Sequence, residues 1–247
     1  MSTNKVIIFV LGMTVLVALL LAGFKTATQG IAALNEDIFN KRQILEAVAR
    51  PLEAAGRPAA SLSDDEVLQL FEDQMETTVI NSSGEEMTDM TVAQVDLAKE
   101  RKKPEEERMY PVYKLNLDNS AYYIFSVRGN GLWDAIWGNV ALEQDMNTIA
   151  GVSFDHAGET PGLGAEIKDN TAWKAQFVGK KIYEGDKYVS VYVRKGGALP
   201  SRKEHEVDGL SGATVTADGV TKMLYEGLKA YEPYMEEANA STSMNMK

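Results

Sequence analysis

Tyr113-Lys114-Leu115-Asn116-Leu117 and Tyr122-Tyr123-Ile124-Phe125-Ser126-Val127 decide the fold class. Both segments alternate or run apolar, aromatic and β-branched, the composition that packs well on a pleated, half-buried surface. Ile149–Phe154 and Tyr188–Val193 read the same way, and glycine-bearing loops lie between these strands. An amphipathic helix from about Ala213 to Tyr234 closes the region. This order of strands and helices predicts an α+β domain with a mainly antiparallel sheet and flanking helices.

Toward the N-terminus the texture changes to a membrane signal. Val6–Phe24 carries no charge and is bracketed by Lys5 and Lys25. A helix of that length rises about 28 Å, close to the hydrocarbon thickness of a bilayer. The rival reading, a cleaved signal peptide, has an apolar core of about 7–15 residues and an Ala-x-Ala-like site. Here Leu19–Leu21 separate Ala18 from Ala22, which favours a retained single-pass anchor. The flanking lysines leave its orientation open, because long domains cross largely regardless of such charges.

Ile31–Arg50 is a helical candidate, and a soft break runs from Pro51 to Ser63. Ser63-Asp64-Asp65-Glu66 is a capping pattern ahead of Leu68, Leu70 and Phe71. Thr77–Ile80 is β-rich, Gly84–Met90 reads as a turn or exposed loop, and Ala98–Arg108 as a solvated charge run. The expected organisation is therefore an anchor over 1–30, a membrane-proximal helical and mixed region over 31–108, the sheet domain over 109–235, and a polar tail over 236–247.

Composition removes several function classes. The 247 residues carry 36 acidic against 25 Lys+Arg side chains, a formal net charge of −11, so phosphate-backbone recognition of nucleic acid is not expected. With no cysteine, the chain has no disulfide, iron–sulfur or thiolate–zinc chemistry, and two histidines cannot build a His-rich metal site. Neither His156 nor His205 has a clear catalytic partner, and both are expected to be loop residues. No Gly-x-Gly-x-x-Gly fingerprint is present, so a dinucleotide site is not expected on this chain.

Three loops remain as carriers of chemistry. Gly129-Asn130-Gly131-Leu132-Trp133, continuing to Trp137-Gly138, offers aromatic surface for a planar ring, or else is a turn with core aromatics. His156–Gly164 contains Glu159, Thr160, Gly162, Leu163 and Gly164. Its backbone can point inward at a ligand, with Glu159 and Thr160 bonding polar atoms and Leu163 packing on an apolar face, unless it is only a surface turn. Asp208-Gly209-Leu210-Ser211-Gly212-Ala213-Thr214 opens the last helix, where free N–H groups favour a phosphate. The bland alternative is that Asp208 or Ser211 is an ordinary N-cap.

Asp208–Thr214 resembles the flavinylation signature Asp-x-x-Ser-Gly-Ala-Thr, in which the final threonine carries FMN through a phosphoester. The Glu159-Thr160-Pro161-Gly162-Leu163-Gly164 core and the Gly129–Trp133 loop resemble two further hallmarks of the FMN-binding-domain family, in the expected order. With the single N-terminal anchor, the chain resembles the C subunit family of Na⁺-translocating NADH:quinone reductases more than the shorter G subunit of Rnf-type ferredoxin:NAD⁺ oxidoreductases.

The resemblance implies FMN attached covalently at Thr214 by a dedicated flavin transferase. Asp208, Ser211, Gly212 and Ala213 are then part of the recognised signature, and Glu159, Thr160, Gly162, Leu163, Gly164 and Trp133 lie around the flavin. It also implies a six-subunit complex of the bacterial inner membrane, with the N-terminus cytoplasmic and the soluble domain periplasmic. The chain would be an electron carrier with no catalytic residues of its own, relaying electrons from NADH towards ubiquinone while Na⁺ is exported. A membrane-tethered flavin-binding module without relay, or an assembly subunit without redox work, are the functional alternatives.

Overall fold

The computed structural model describes residues 2–117 and 120–245, with side chains to Asn239. It divides into two units, Met1–Asn40 and Lys41–Lys247. The first unit is formed by most of helix α1 (Thr3–Ala47). Its Val6–Phe24 side chains are exposed, and among the described residues it is the one helix long and apolar enough to cross a membrane. Apolar groups facing outward along a whole helix are stable against lipid and not against water, which is what suits this sequence to a span.

The second unit begins with the last turns of α1 and α2 (Ala49–Ala54). The helix breaks already at Val48, and the soft break predicted from Pro51 to Ser63 opens only after Ala54, because Pro51 occupies the first turn of α2, where no helical acceptor awaits its missing N–H. Helix α3 (Asp64–Gln74) starts as the sequence anticipates. Ser63 Oγ accepts from the Glu66 N–H at 3.3 Å, and the Glu66 carboxylate accepts from the Ser63 N–H at 2.7 Å.

Then follow β1 (Met75–Asn81), β2 (Glu86–Met87), the short helix α4 (Leu97–Glu100), β3 (Met109–Leu117), β4 (Ser120–Asn130), β5 (Ala135–Leu142) and β6 (Ile149–His156). Among the described residues the main sheet has six strands in the order β2-β1-β3-β4-β5-β6, and each neighbouring pair is antiparallel. The α+β expectation therefore holds, with two differences. The sheet starts at Met75, inside the region expected to be separate from the 109–235 domain. Trp137 and Gly138, expected in a loop, are mid-strand in β5 and pair with Asp155 and Phe154.

The remaining elements are α5 (Glu166–Asp169), α6 (Thr171–Ala175), β7 (Tyr183–Glu184), β8 (Lys187–Tyr188), β9 (Tyr192–Arg194), β10 (Glu206–Asp208), α7 (Thr214–Lys229) and α8 (Glu232–Asn245). Tyr188–Val193, expected as one strand, is split between β8 and β9 by Ser190, which has φ +58. The closing helix is likewise two, parted at Ala230–Tyr231 just before Pro233. Residues from Glu236, expected as a tail, continue α8 as far as Asn245, while Met246 and Lys247 lie outside the described residues. The solvated run also changes character at Glu100, which is buried and accepts from Lys103 Nζ and the Met109 N–H.

Two apolar clusters cover the sheet. Leu45, Val48, Leu52, Val67 and Leu70 pack with Leu115 and Ile124. Phe125, Val127, Ile136 and Phe154 pack with Trp173, Phe177, Val220, Leu224 and Tyr231. Helix α7 lies in the second cluster, so its first turn is held by the sheet on one side and reaches solvent on the other.

Candidate functional site

Strands β9 and β10 pair in parallel and deliver the chain to Asp208. Their register is locked by Glu206, which is 1% exposed. Its carboxylate accepts from Arg194 Nε and Nη2, each at 2.6 Å, and from the Leu199 N–H at 3.0 Å. The Arg194 hydrogen bonds hold the Glu206 carboxyl below the usual carboxylate range, against the opposing effect of burial.

Asp208 is gripped on three sides. Its N–H donates to Gln176 Oε1 at 3.0 Å, its carbonyl accepts from Trp173 Nε1 at 2.7 Å, and its Oδ1 accepts from the Ala198 N–H at 2.8 Å. Because that carboxylate is already engaged upstream, it does not cap α7. The cap residue is Ala213, and among the described residues no side chain caps this helix. The ordinary N-cap reading of Asp208 and Ser211 is thereby overturned. The free N–H groups of the first turn and the positive end of the helix dipole are left for another acceptor.

Thr214 is the first residue of α7 and is half-buried. Together with Lys195, Gly197, Asp208, Ser211 and Gly212 it lines a cleft of about 520 Å³. Lys195, Gly196 and Gly197 were not singled out from the sequence. The signal was there, since two consecutive glycines between short strands adopt φ +83 and +99 and turn Lys195 into the cleft wall.

The His156–Gly164 loop abuts the same turn. A Cβ on Gly212 would lie 2.7 Å from Leu163 Cδ2, and Gly212 has φ +73, so a glycine there both makes the turn and admits Leu163. Thr160 is exposed, and its carbonyl accepts from the Leu163 and Ala165 N–H groups, each at 3.1 Å. Glu159 turns inward instead and is 4% exposed. Its Oε1 accepts from the Trp133 N–H at 3.0 Å and its Oε2 from Thr216 Oγ1 at 2.6 Å. The carboxylate expected to meet a ligand is thus bonded at both oxygens by the protein.

Trp133, between β4 and β5, is 69% exposed, and Leu132, Leu163 and Val215 are exposed with it. Trp137 is half-buried under the Arg128 guanidinium, 5.2 Å from its ring. The structure therefore joins Trp133, the Glu159–Gly164 loop and the Asp208–Thr214 turn, and leaves Trp137 out. Both histidines are used structurally. His156 Nδ1 accepts from the Glu159 N–H at 3.1 Å, and His205 Nδ1 lies 2.8 Å from the Lys181 carbonyl.

Comparison with known proteins points one way. The family model of the FMN-binding domain matches residues 131–229. The C subunit of a Na(+)-translocating NADH-quinone reductase from Pseudomonas aeruginosa is 31% identical across 91% of this chain and 90% of its own length. The corresponding protein from Vibrio anguillarum is 50% identical over 42% of this chain, a match spanning only 40% of that relative. The crystal structure of a Na(+)-translocating NADH-quinone reductase C subunit from Parabacteroides distasonis superposes with a TM-score of 0.72 at 32% identity, covering 84% of this chain and 96% of that one.

Proposed function

Since the chain belongs to the C subunit family of Na(+)-translocating NADH-quinone reductases, we propose that it is the membrane-anchored flavin carrier of such a complex, with FMN bound covalently through a phosphoester to Thr214. The observation that carries this reading is the uncapped start of α7 with Thr214 on the cleft wall.

The residues present suit the group. A cleft of about 520 Å³ is within the range that holds small ligands. The first-turn N–H groups and Lys195, on the cleft wall, would offset a phosphoester's charge. Leu163, Trp133 and Val215 supply apolar and aromatic surface for a flat ring. Asp208, Ser211, Gly212 and Ala213 present the threonine to a flavin transferase, with Asp208 held in place by Trp173, Gln176 and Ala198.

When bound, FMN supplies electron exchange between neighbouring redox centres of the complex. The chain's residues would fix the group in position, with the 156–164 loop shielding one side of the Thr214 turn through Leu163 against Gly212. NADH oxidation belongs to another subunit, and the complex passes electrons towards ubiquinone with Na⁺ export. The anchor holds the domain beside the bacterial inner membrane, N-terminus inside and domain in the periplasm, against other subunits of a six-subunit assembly.

Denaturing electrophoresis viewed under ultraviolet light tests the attachment. Full-length protein from cells containing the transferase gives a fluorescent band, and Thr214→Leu gives none. A dark wild-type band sinks the covalent reading.

A further inference from the structure

Glu159 is a buried carboxylate with no ion pair among the described residues, an arrangement that costs free energy unless hydrogen bonds offset it. The surroundings are built to keep it. A Cβ on Gly131 would overlap Glu159 Oε1, and one on Gly164 would overlap Oε2 while standing 2.7 Å from Thr216 Oγ1. Two loops thus give up side chains so that this one carboxylate can reach both the Trp133 N–H and the Thr216 hydroxyl. Its own backbone N–H is fixed on His156 Nδ1, which seats the residue at the mouth of β6.

The partners explain what the carboxylate controls. Thr216 is two residues beyond Thr214, about 200° around the helix at roughly 100° per residue. Pinning Thr216 inward, where it is 1% exposed, therefore sets the rotation of the first turn and turns Thr214 toward the cleft. The Trp133 N–H bond fixes the backbone that presents the exposed indole. Continuing from Glu159, the chain carries Leu163 against Gly212. Three segments separated by 26 and 57 positions in sequence meet at one side chain.

We propose that Glu159 is the positioning residue that fixes the flavin's ring seat relative to its tether, acting through Thr216 and the Trp133 backbone without touching the flavin. This rests on the reading of Thr214 as the FMN attachment point. On that reading loading depends on the Asp208–Thr214 segment, whose Asp208 is held by Trp173, Gln176 and Ala198 independently of Glu159, and on Thr214, which is only half-buried. The Glu159–Thr216 bond instead governs how firmly the ring is held after loading. The two roles separate by variant.

The test uses detergent-solubilised full-length protein made in cells with the transferase, as wild type, Glu159→Ala, Thr216→Val and Thr216→Ser. Each is read for in-gel flavin fluorescence, flavin anisotropy, visible-region circular dichroism and thermal unfolding. Glu159→Ala and Thr216→Val should keep the fluorescent gel band yet lose anisotropy and visible dichroism, and Thr216→Val, which breaks one of the two bonds, should lose no more than Glu159→Ala, which breaks both. Thr216→Ser, which retains the hydroxyl, should restore the wild-type signals.

Unchanged anisotropy and dichroism in both loaded variants would overturn the proposal, as would a Thr216→Ser protein that behaves like Thr216→Val. If Glu159→Ala fails to fold, Thr216→Val carries the comparison, since it removes one bond at nearly constant volume. A dark wild-type band overturns the attachment reading itself, an outcome visible before any variant is compared.

Discussion

Helices α3 and α7 begin with similar sequence chemistry and end up with opposite starts. Ser63 ahead of α3 exchanges bonds with Glu66, so that helix supplies its own acceptors. Asp208 and Ser211 ahead of α7 are just as able to cap, yet Asp208 is engaged by Ala198 and the helix opens on Ala213 and Thr214 with no side-chain cap among the described residues. A start that closes on itself is structural, whereas a start held open by bonds made elsewhere is available for a ligand. Trp173 and Gln176 hold Asp208 away from the second one, and Glu159 grips it from within through Thr216.

The most severe way to break the contrast is at the open start itself. Thr214→Leu should remove covalent flavin completely while thermal unfolding stays near wild type, since Thr214 is only half-buried at the head of a helix. Retained flavin fluorescence in the denatured variant would place the attachment elsewhere. Next in size is the packing that holds α7 down. A Cβ on Gly219 would overlap the Asn130 carbonyl, so Gly219→Ala should cost about 1–3 kcal/mol, measured by denaturant unfolding of the second unit's transition.

Glu206 sharpens the comparison through pH. Its folded-state pKa is depressed by Arg194, so its contribution is complete above the ordinary glutamate range and is lost as pH falls through the depressed value. Unfolding temperature should therefore drop on acidification below about pH 4.5, and Glu206→Gln should flatten that limb. The smallest effect belongs to the closed start. Ser63→Ala should cost about 1 kcal/mol and leave flavin loading unchanged, because α3 packs with the sheet's other apolar cluster.

How much of this was legible in the sequence depended on whether the signal was local. The Ser63 box, the apolar span and the strands around Tyr113, Tyr122 and Ile149 carry their own periodicity, and each lies where expected. Strand β5 did not read as a strand because Gly138 and Asn139 interrupt its pattern. Gly138 is required there, since a Cβ would overlap the Ser153 carbonyl of the neighbouring strand. Thr77–Ile80 did read as β-rich and lies within β1, but its place in the sheet was hidden, because the pairing of β1 with β3 spans a long insertion that includes the charged run.

The candidate site divides along the same line. Glycine clusters marked its three loops, each of which breaks regular structure locally. The bonds of Glu159 were invisible, because its partners Trp133 and Thr216 are chosen by the fold and not by spacing along the chain. Lys195, Gly196 and Gly197 were passed over, because only the parallel pairing of β9 with β10 brings their turn beside Asp208.

The open start of α7 is the proposed seat of the cofactor. Peptide mass spectrometry of protease-digested full-length protein, made in cells containing the transferase, addresses it directly. The peptide containing Asp208–Thr214 should be heavier by FMN less one water, with fragmentation placing the increment on Thr214. An unmodified peptide from flavin-replete cells, or an increment on any other residue, would contradict it.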